Sequence, residues 1–287
     1  MKINHLLFLL VSWLLTTSLS AQLCWKITSP DKAVSSYLFG THHLVEPSSI
    51  PHLDTLIALC QASELFVGEL PDDSLVAQKM LVAVSMTDRS LKSLLTSDDY
   101  ALVAAEIRRT LDVDLSLLDE VKPLYIGTLY ALMAQLKALG LTEQPEPVDN
   151  LLRRKAVEMG VPVLGLESVD QQIDILFNSL SLERQAELLV ETIKDSSMTS
   201  FKVEKLNNAY LAGDLSVLAS LGNDDDWSPE EKHAMVDNRN LNWVKVLPDY
   251  LNRHACFIAV GCLHLVDETG LINQLRLLGY LVEPLNF

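Results

Sequence analysis

Two histidines occupy equivalent places near opposite ends of the chain. Gly40-Thr-His-His follows the run Ser36-Tyr-Leu-Phe, and Gly261-Cys-Leu-His follows the apolar run Ala255 to Val260. Each reads as a strand that ends at a Gly-x-x-His turn, which puts His43 and His264 just past two strand ends. Glu69 closes Glu64-Leu-Phe-Val-Gly, and Glu167 closes Val161-Pro-Val-Leu-Gly-Leu, in the same way. Ligands of α/β sheets bind beyond the carboxyl ends of the strands, so these four positions are placed for chemistry. If the strands share a sheet and a direction, two imidazoles and two carboxylates converge on one edge. Such a mixed nitrogen and oxygen set suits Zn²⁺, Mn²⁺, Fe²⁺ or Co²⁺, and a site that leaves one position to water generates a nucleophile near neutral pH. In that scheme His43 and His264 are ligands, one carboxylate completes the shell and the other is the general base. Arg239 and Asn240 are adjacent on a predicted helix and cannot fully share a face. One is therefore expected to bind the developing oxyanion while the other braces the helix.

The elements that must position these residues follow from periodicity and punctuation. Leu23 to Thr28 and Ser36 to Phe39, parted by Ser-Pro-Asp-Lys, predict a hairpin. A helix is expected from Pro51, with Leu53, Leu56, Ile57 and Cys60 on one face. Leu75 to Ser85, Ser97 to Thr110 and Pro123 to Leu139 carry apolar residues at helical spacing, and Asp149 to Met159 follows, stopped by Gly160. Gln171 to Leu180, Ser181 to Lys194 and Met198 to Ala212 read as further helices. Ser228-Pro-Glu-Glu231 is a capping box that opens a helix through Arg239 to about Leu247, so the acids of Asn223-Asp-Asp-Asp belong to a helix start rather than to a metal loop. Leu271, Ile272, Leu275 and Leu278 mark a last helix before a closing strand, Tyr280 to Glu283. The expected class is α/β (α+β): a central mixed sheet with flanking helices, one domain over residues 22–287, and helical insertions at about 72–150 and 180–250.

Composition narrows the partners. Lys2, the apolar stretch Leu6 to Leu15 and the small residues Ser18, Ser20 and Ala21 form the pattern of a secretory signal peptide over residues 1–21, so a secreted or periplasmic chain is expected. The formal net charge of −16 disfavours phosphate backbones and anionic lipid surfaces, leaving a peptide or small molecule as the expected partner. Four cysteines, Cys24, Cys60, Cys256 and Cys262, show no Cys-x-x-Cys spacing. Cys24 with Cys60 could bridge, or all four could be buried thiols. The absence of a Gly-x-Ser-x-Gly elbow argues against a serine hydrolase.

Tyr-Leu-Phe-Gly-Thr-His-His-Leu, Val-Gly-Glu-Leu, Leu-Gly-Leu-Glu-Ser with Gln172 after it, Arg239-Asn240, Ala-Val-Gly-Cys-Leu-His-Leu and Leu-Gly-Tyr-Leu-Val, in this order, resemble the TraB/GumN family, which includes the Tiki metalloproteases. The resemblance runs from about Trp25 to the C-terminus. It implies a metal-dependent peptidase, assigns the histidine of the family's Gly-Thr-x-His to His43, and leaves His42 as the variable position. It also puts Glu69 forward as base or ligand, with Glu167 in the same shell. The strand-end architecture is similar to that of erythromycin-esterase-like and haem-binding ChaN-like proteins. Two other classes stay open on this footing: a binding protein for a peptide or a metal-bearing ligand, and an ester or lactone hydrolase.

Overall fold

The computed structural model describes residues 23–30, 35–222 and 228–285. The expected signal segment and the acids at 224–226 lie outside the described residues. Six strands, β1 (Cys24–Thr28), β2 (Ser35–Thr41), β3 (Leu65–Gly68), β4 (Val163–Gly165), β5 (Cys256–Gly261) and β6 (Leu281–Pro284), form one sheet in the order β4-β3-β5-β2-β1-β6. β1 runs antiparallel to β2 and β6, whereas β2, β5, β3 and β4 are mutually parallel. The mixed α/β architecture read from the sequence is thus the one observed. The condition on which the candidate site rested is also met, because the four strands that end before His43, His264, Glu69 and Glu167 are the four parallel ones.

Parallel strands buried on both faces need near-continuous apolar runs. Cys256–Val260 is buried throughout, as is Leu65–Gly68. The Leu53–Gln61, Val148–Glu158, Asn238–Leu251 and Leu271–Leu277 helices contribute Leu56, Leu152, Leu247 and Leu275 to the same core. A second, smaller apolar cluster is built mainly from helices. Val103 and Ile107 of Ser97–Leu111, Ile126 and Tyr130 of Pro123–Ala138, and Leu189 and Ile193 of Leu182–Lys194 pack together with Met86 and Leu91. The near-uniform apolarity of the Pro123–Ala138 helix is that of a buried element, and Met86 is a packing residue.

Some element boundaries differ from the periodicity reading. The helix expected over Gln171 to Leu180 begins at Val169, because Ser168 and Gln171 form a reciprocal capping box, and it passes into a π turn at Asp174–Asn178. A further helix, Leu215–Gly222, was not anticipated. Gly213 adopts φ 62°, which turns the chain, and the Asp214 carboxylate then accepts from the Ser216 and Val217 N–H groups to start the new helix. All four cysteines are buried free thiols, so the Cys24–Cys60 bridge does not form; burial pushes Cys24, Cys60 and Cys262 up to about 12.

At two of the strand ends, Gly40 and Gly165, the packing is too close for a side chain. A methyl group on Gly40 would fall 2.5 Å from Leu265 Cδ1 and 3.1 Å from Cys262 Cα, so the first turn nests against the second. On Gly165 it would lie 2.5 Å from the Pro71 backbone nitrogen. Backbone cannot yield as a flexible side chain can, so Gly165→Ala is expected to lower stability by about 1–3 kcal/mol. Gly127→Ala, which meets Leu189 at 3.7 Å within a helix, should be neutral or favourable. Urea denaturation of both variants checks this, and equal midpoints would contradict the packing.

Candidate functional site

One side chain joins three of the four parallel strand ends. Arg239, in the first turn of the Asn238–Leu251 helix, donates from Nη2 to Glu69 Oε2 at 2.6 Å and to Glu167 Oε1 at 2.7 Å, and from Nε to Glu167 Oε2 at 3.1 Å. Its Nη1 lies 3.1 Å from His264 Nε2. The helix presents Arg239, Trp243 and Leu247 at four-residue spacing to the sheet, and the guanidinium stacks 4.7 Å over the Trp243 ring. A π turn, His233–Asp237, directly precedes this helix.

The two carboxylates have different surroundings. Glu167, with a side chain 6% exposed, accepts from Arg239 through both oxygens and also from Gln172 Nε2 at 3.0 Å and Trp243 Nε1 at 3.2 Å. Its acceptor capacity is committed within the protein. Glu69 is 25% exposed, accepts from Arg239 and from the Gly261 N–H at 2.9 Å, and opens onto a cleft. Burial raises its pKa, but the charge that His264 takes up in acid, the Arg239 charge and the hydrogen bonds from Gly261 and Arg239 outweigh burial and bring it to about 2. Burial lowers Arg239, and the Glu167 and Glu69 carboxylates more than restore it, so it is held above the ordinary arginine range.

His264 is buried and neutral at physiological pH. Its Nδ1 lies 2.7 Å from Asn240 Oδ1, while Asn240 Nδ2 donates to the His264 carbonyl at 3.4 Å. An amide oxygen can only accept and a guanidinium can only donate, so the proton sits on Nδ1 and the Nε2 lone pair faces Arg239. Burial lowers this imidazole to about 4; the Glu69 carboxylate opposes the shift and the Arg239 charge adds to it. Asn240 is thus seated as the orienting partner of His264. Arg239 and Asn240, expected not to share a face fully, are both buried and reach this ring from its two nitrogens.

His43 stands apart from the cluster. It is exposed on the cleft, with Nε2 3.6 Å from Asp149 Oδ1 in the first turn of the Val148–Glu158 helix. Its neighbour His42 turns the other way, into an edge contact with Tyr210 at 5.3 Å, where burial and the nearby His43 charge bring it to about 4 against a small opposing effect of Asn207. The cleft, of about 420 Å³, is bordered by His43, Glu69, Pro71, Asp149, Arg153 and Gln172. A wider groove of about 860 Å³, lined by Trp25, Leu265, Ile272 and Arg276, contains none of the predicted residues. Asp149 and Trp243 escaped the sequence reading. Asp149 looked like an ordinary helix-start acid, and the only signal for Trp243 was its four-residue spacing from Arg239.

The divalent-metal set His43, His264 and Glu69 does not fit this arrangement. Among the described residues no three His, Cys, Asp or Glu side chains are grouped as metal ligands. The His264 lone pair that a metal would need is engaged by Arg239, both Glu167 oxygens are committed, and His43 faces the cleft from β2.

The depressed pKa values of His264 and Glu69 link stability to acid, and that of His42, also about 4, adds to the His264 part of the effect. The unfolded chain takes up the His264 proton as pH falls below about 6.5, whereas the folded protein resists to about 4, so stability is full above 6.5 and declines toward 4. Glu69 extends the loss from 4.5 down to about 2. In urea denaturation from pH 7 to pH 3, His264→Asn is expected to flatten the upper part of this decline and Glu69→Gln the lower part. An unchanged pH profile in both would contradict the assigned protonation states.

No curated protein and no solved structure matches the chain. A family model, that of the TraB/PrgY/gumN family, matches residues 23–284. With nearly all of its length covered by that model, the chain belongs to the TraB/PrgY/gumN family.

Proposed function

We propose that this chain is a hydrolase that accepts a peptide, or a small molecule with a comparable carbonyl, in the cleft at the carboxyl edge of the sheet. The supporting observation is that one cavity of about 420 Å³ is bordered both by an anionic Glu69 fixed on a buried guanidinium and by an imidazole beside a carboxylate, His43 with Asp149. Cleft size suits a few residues of an extended peptide or a compact ligand.

In this reading His43 is the general base. It removes a proton from a water that attacks the substrate carbonyl, and it returns that proton to the leaving nitrogen or oxygen as the C–N or C–O bond breaks. Asp149 balances the imidazolium that forms between the two steps. Glu69 is too weak a base at about 2 to take the proton itself, so it accepts a hydrogen bond from the water and orients it. Arg239 holds Glu69 in that posture, while Asn240 and His264 hold Arg239. The His43, His264 and Glu69 metal centre does not fit the donor arrangement, and water activation is assigned to protein groups. The same reading takes the chain as exported, on the apolar pattern of its first residues, with no nucleic-acid or membrane partner on account of its charge.

Turnover of a peptide library, followed by mass spectrometry and compared with a panel of esters and lactones, tests the class. His43→Ala and Glu69→Gln are each expected to lower kcat/KM by about 10²–10⁴-fold while the far-UV spectrum is unchanged. Full activity in either variant would remove that residue from the mechanism. Binding of peptides without cleavage of any substrate would replace the hydrolase reading with that of a binding protein.

A further inference from the structure

We propose that a second cavity, walled by Lys122, Phe177, Asn178 and Gln185, binds a small carboxylate that also carries a hydrogen-bond donor, the chemistry of an amino acid or of a peptide's C-terminal residue. This cavity, of about 460 Å³, shares no lining residue with the cleft, so the inference stands apart from the hydrolase reading and needs no turnover to be tested.

Gln185, 1% exposed, supplies the acceptor. Its Nε2 donates to the Phe177 carbonyl at 3.1 Å and to the Leu180 carbonyl at 3.0 Å, so the amide cannot be turned over without setting oxygen against oxygen. Oε1 is thereby fixed in place, and it has no hydrogen-bond partner. A buried acceptor left unpaired is costly, and an N–H or O–H of a ligand relieves it. Lys122 supplies the charge. Its Nζ donates to the Phe177 carbonyl at 3.2 Å and to Asn178 Oδ1 at 2.7 Å, which uses two of an ammonium's three donors, and no carboxylate pairs with it among the described residues. Burial lowers its pKa against the opposing charge of Asp174, so an anion beside it would favour the charged form. The Phe177 carbonyl, in the Asp174–Asn178 π turn, accepts from both Lys122 and Gln185 and so holds cation and acceptor side by side. Ser181 and Leu182 bring the positive end of the Leu182–Lys194 helix to the same wall. Of the other charged residues in the lining, Arg89 is paired with Glu183 at 3.0 Å and Asp88 is exposed. A carboxylate on Lys122, with a donor on the same small molecule turned to Gln185, matches this lining.

The test is calorimetric titration of the untagged full-length protein with alanine, N-acetylalanine, trialanine, N-acetylalanine amide and acetate. Saturable binding of at least one of the first three is expected. Preference for alanine would identify a free amino acid and preference for trialanine a peptide end, and either supports the inference. The amide, which lacks the charge, and acetate, which lacks the donor, are expected to bind about 10–100-fold more weakly. Lys122→Met should weaken binding by a similar factor and Lys122→Arg should keep most of it, whereas Gln185→Met should bring the best ligand down toward acetate. Arg153→Met, in the cleft, should leave binding unchanged. Absence of saturable binding by all three carboxylates would overturn the inference. So would amide or acetate binding as tightly as the best ligand, or binding that is lost in Arg153→Met and kept in Lys122→Met. If Lys122→Met or Gln185→Met does not fold, the comparison of acid with amide and acetate on wild type and the Arg153→Met titration still decide.

Discussion

The buried contact of Arg239 with Glu69 and Glu167 is the interaction on which the rest of the carboxyl edge depends. Taking two carboxylates and a guanidinium out of water costs several kcal/mol per ion, and only close geometry with complete hydrogen bonding offsets it. Here the geometry is close, and each group has further partners: Gly261 for Glu69, Gln172 and Trp243 for Glu167, and the Trp243 ring for Arg239. Removing one partner of such a set strands an uncompensated charge, typically at 3–5 kcal/mol. The cluster therefore tolerates little rearrangement, and its members act as a unit.

That rigidity follows from the layout of the sheet. Four parallel strands deliver their carboxyl ends to one edge, and Arg239 bonds to the side chains that follow three of them. The small residues at the strand ends allow the turns to approach each other, with Gly40 set against Leu265 and Cys262, and Gly165 against Pro71. With larger residues there, the ends would separate and one guanidinium could not reach all three donors. The charged cluster and the close-packed turns are two aspects of the same constraint.

The functional consequence is a division of labour between the inside and the cleft. His264, Asn240, Glu167 and Arg239 are buried and bonded to one another, so they can position but have little access to a ligand. Glu69 belongs to both regions, tied to Arg239 on one side and open on the other. His43 and Asp149 face it from the β2 end and the Val148–Glu158 helix. The second core, built from residues 86–130 and 182–193, stands apart from the sheet core and leaves the strand ends to be walled by the Val76–Ala83 and Val148–Glu158 helices.

Much of this could be read from the sequence, for local physical reasons. Short apolar runs that end in Gly-x-x-His or Gly-acid announce buried strands whose polar ends face a cleft, so His43, Glu69, Glu167 and His264 were found at strand ends. The family and the mixed α/β class were legible from the same motifs. The capping residues at Thr96 and Ser181 marked helix starts that were read, whereas the capping box at Ser168 put its helix two residues before the expected Gln171, and the starts at Ser90 and Asp214 were not read. What the sequence could not disclose is what fills the space between the strand ends. Arg239 is separated from Glu69 by 170 positions and from Glu167 by 72, so no spacing rule joins them. Donor type alone suggests an ion there, whereas the Asn238–Leu251 helix puts the Arg239 guanidinium between the donors. Only the family resemblance singled out His43 over His42, because adjacent residues at a strand end point to opposite sides and spacing does not select between them; in the fold His42 packs on Tyr210 and His43 faces the cleft.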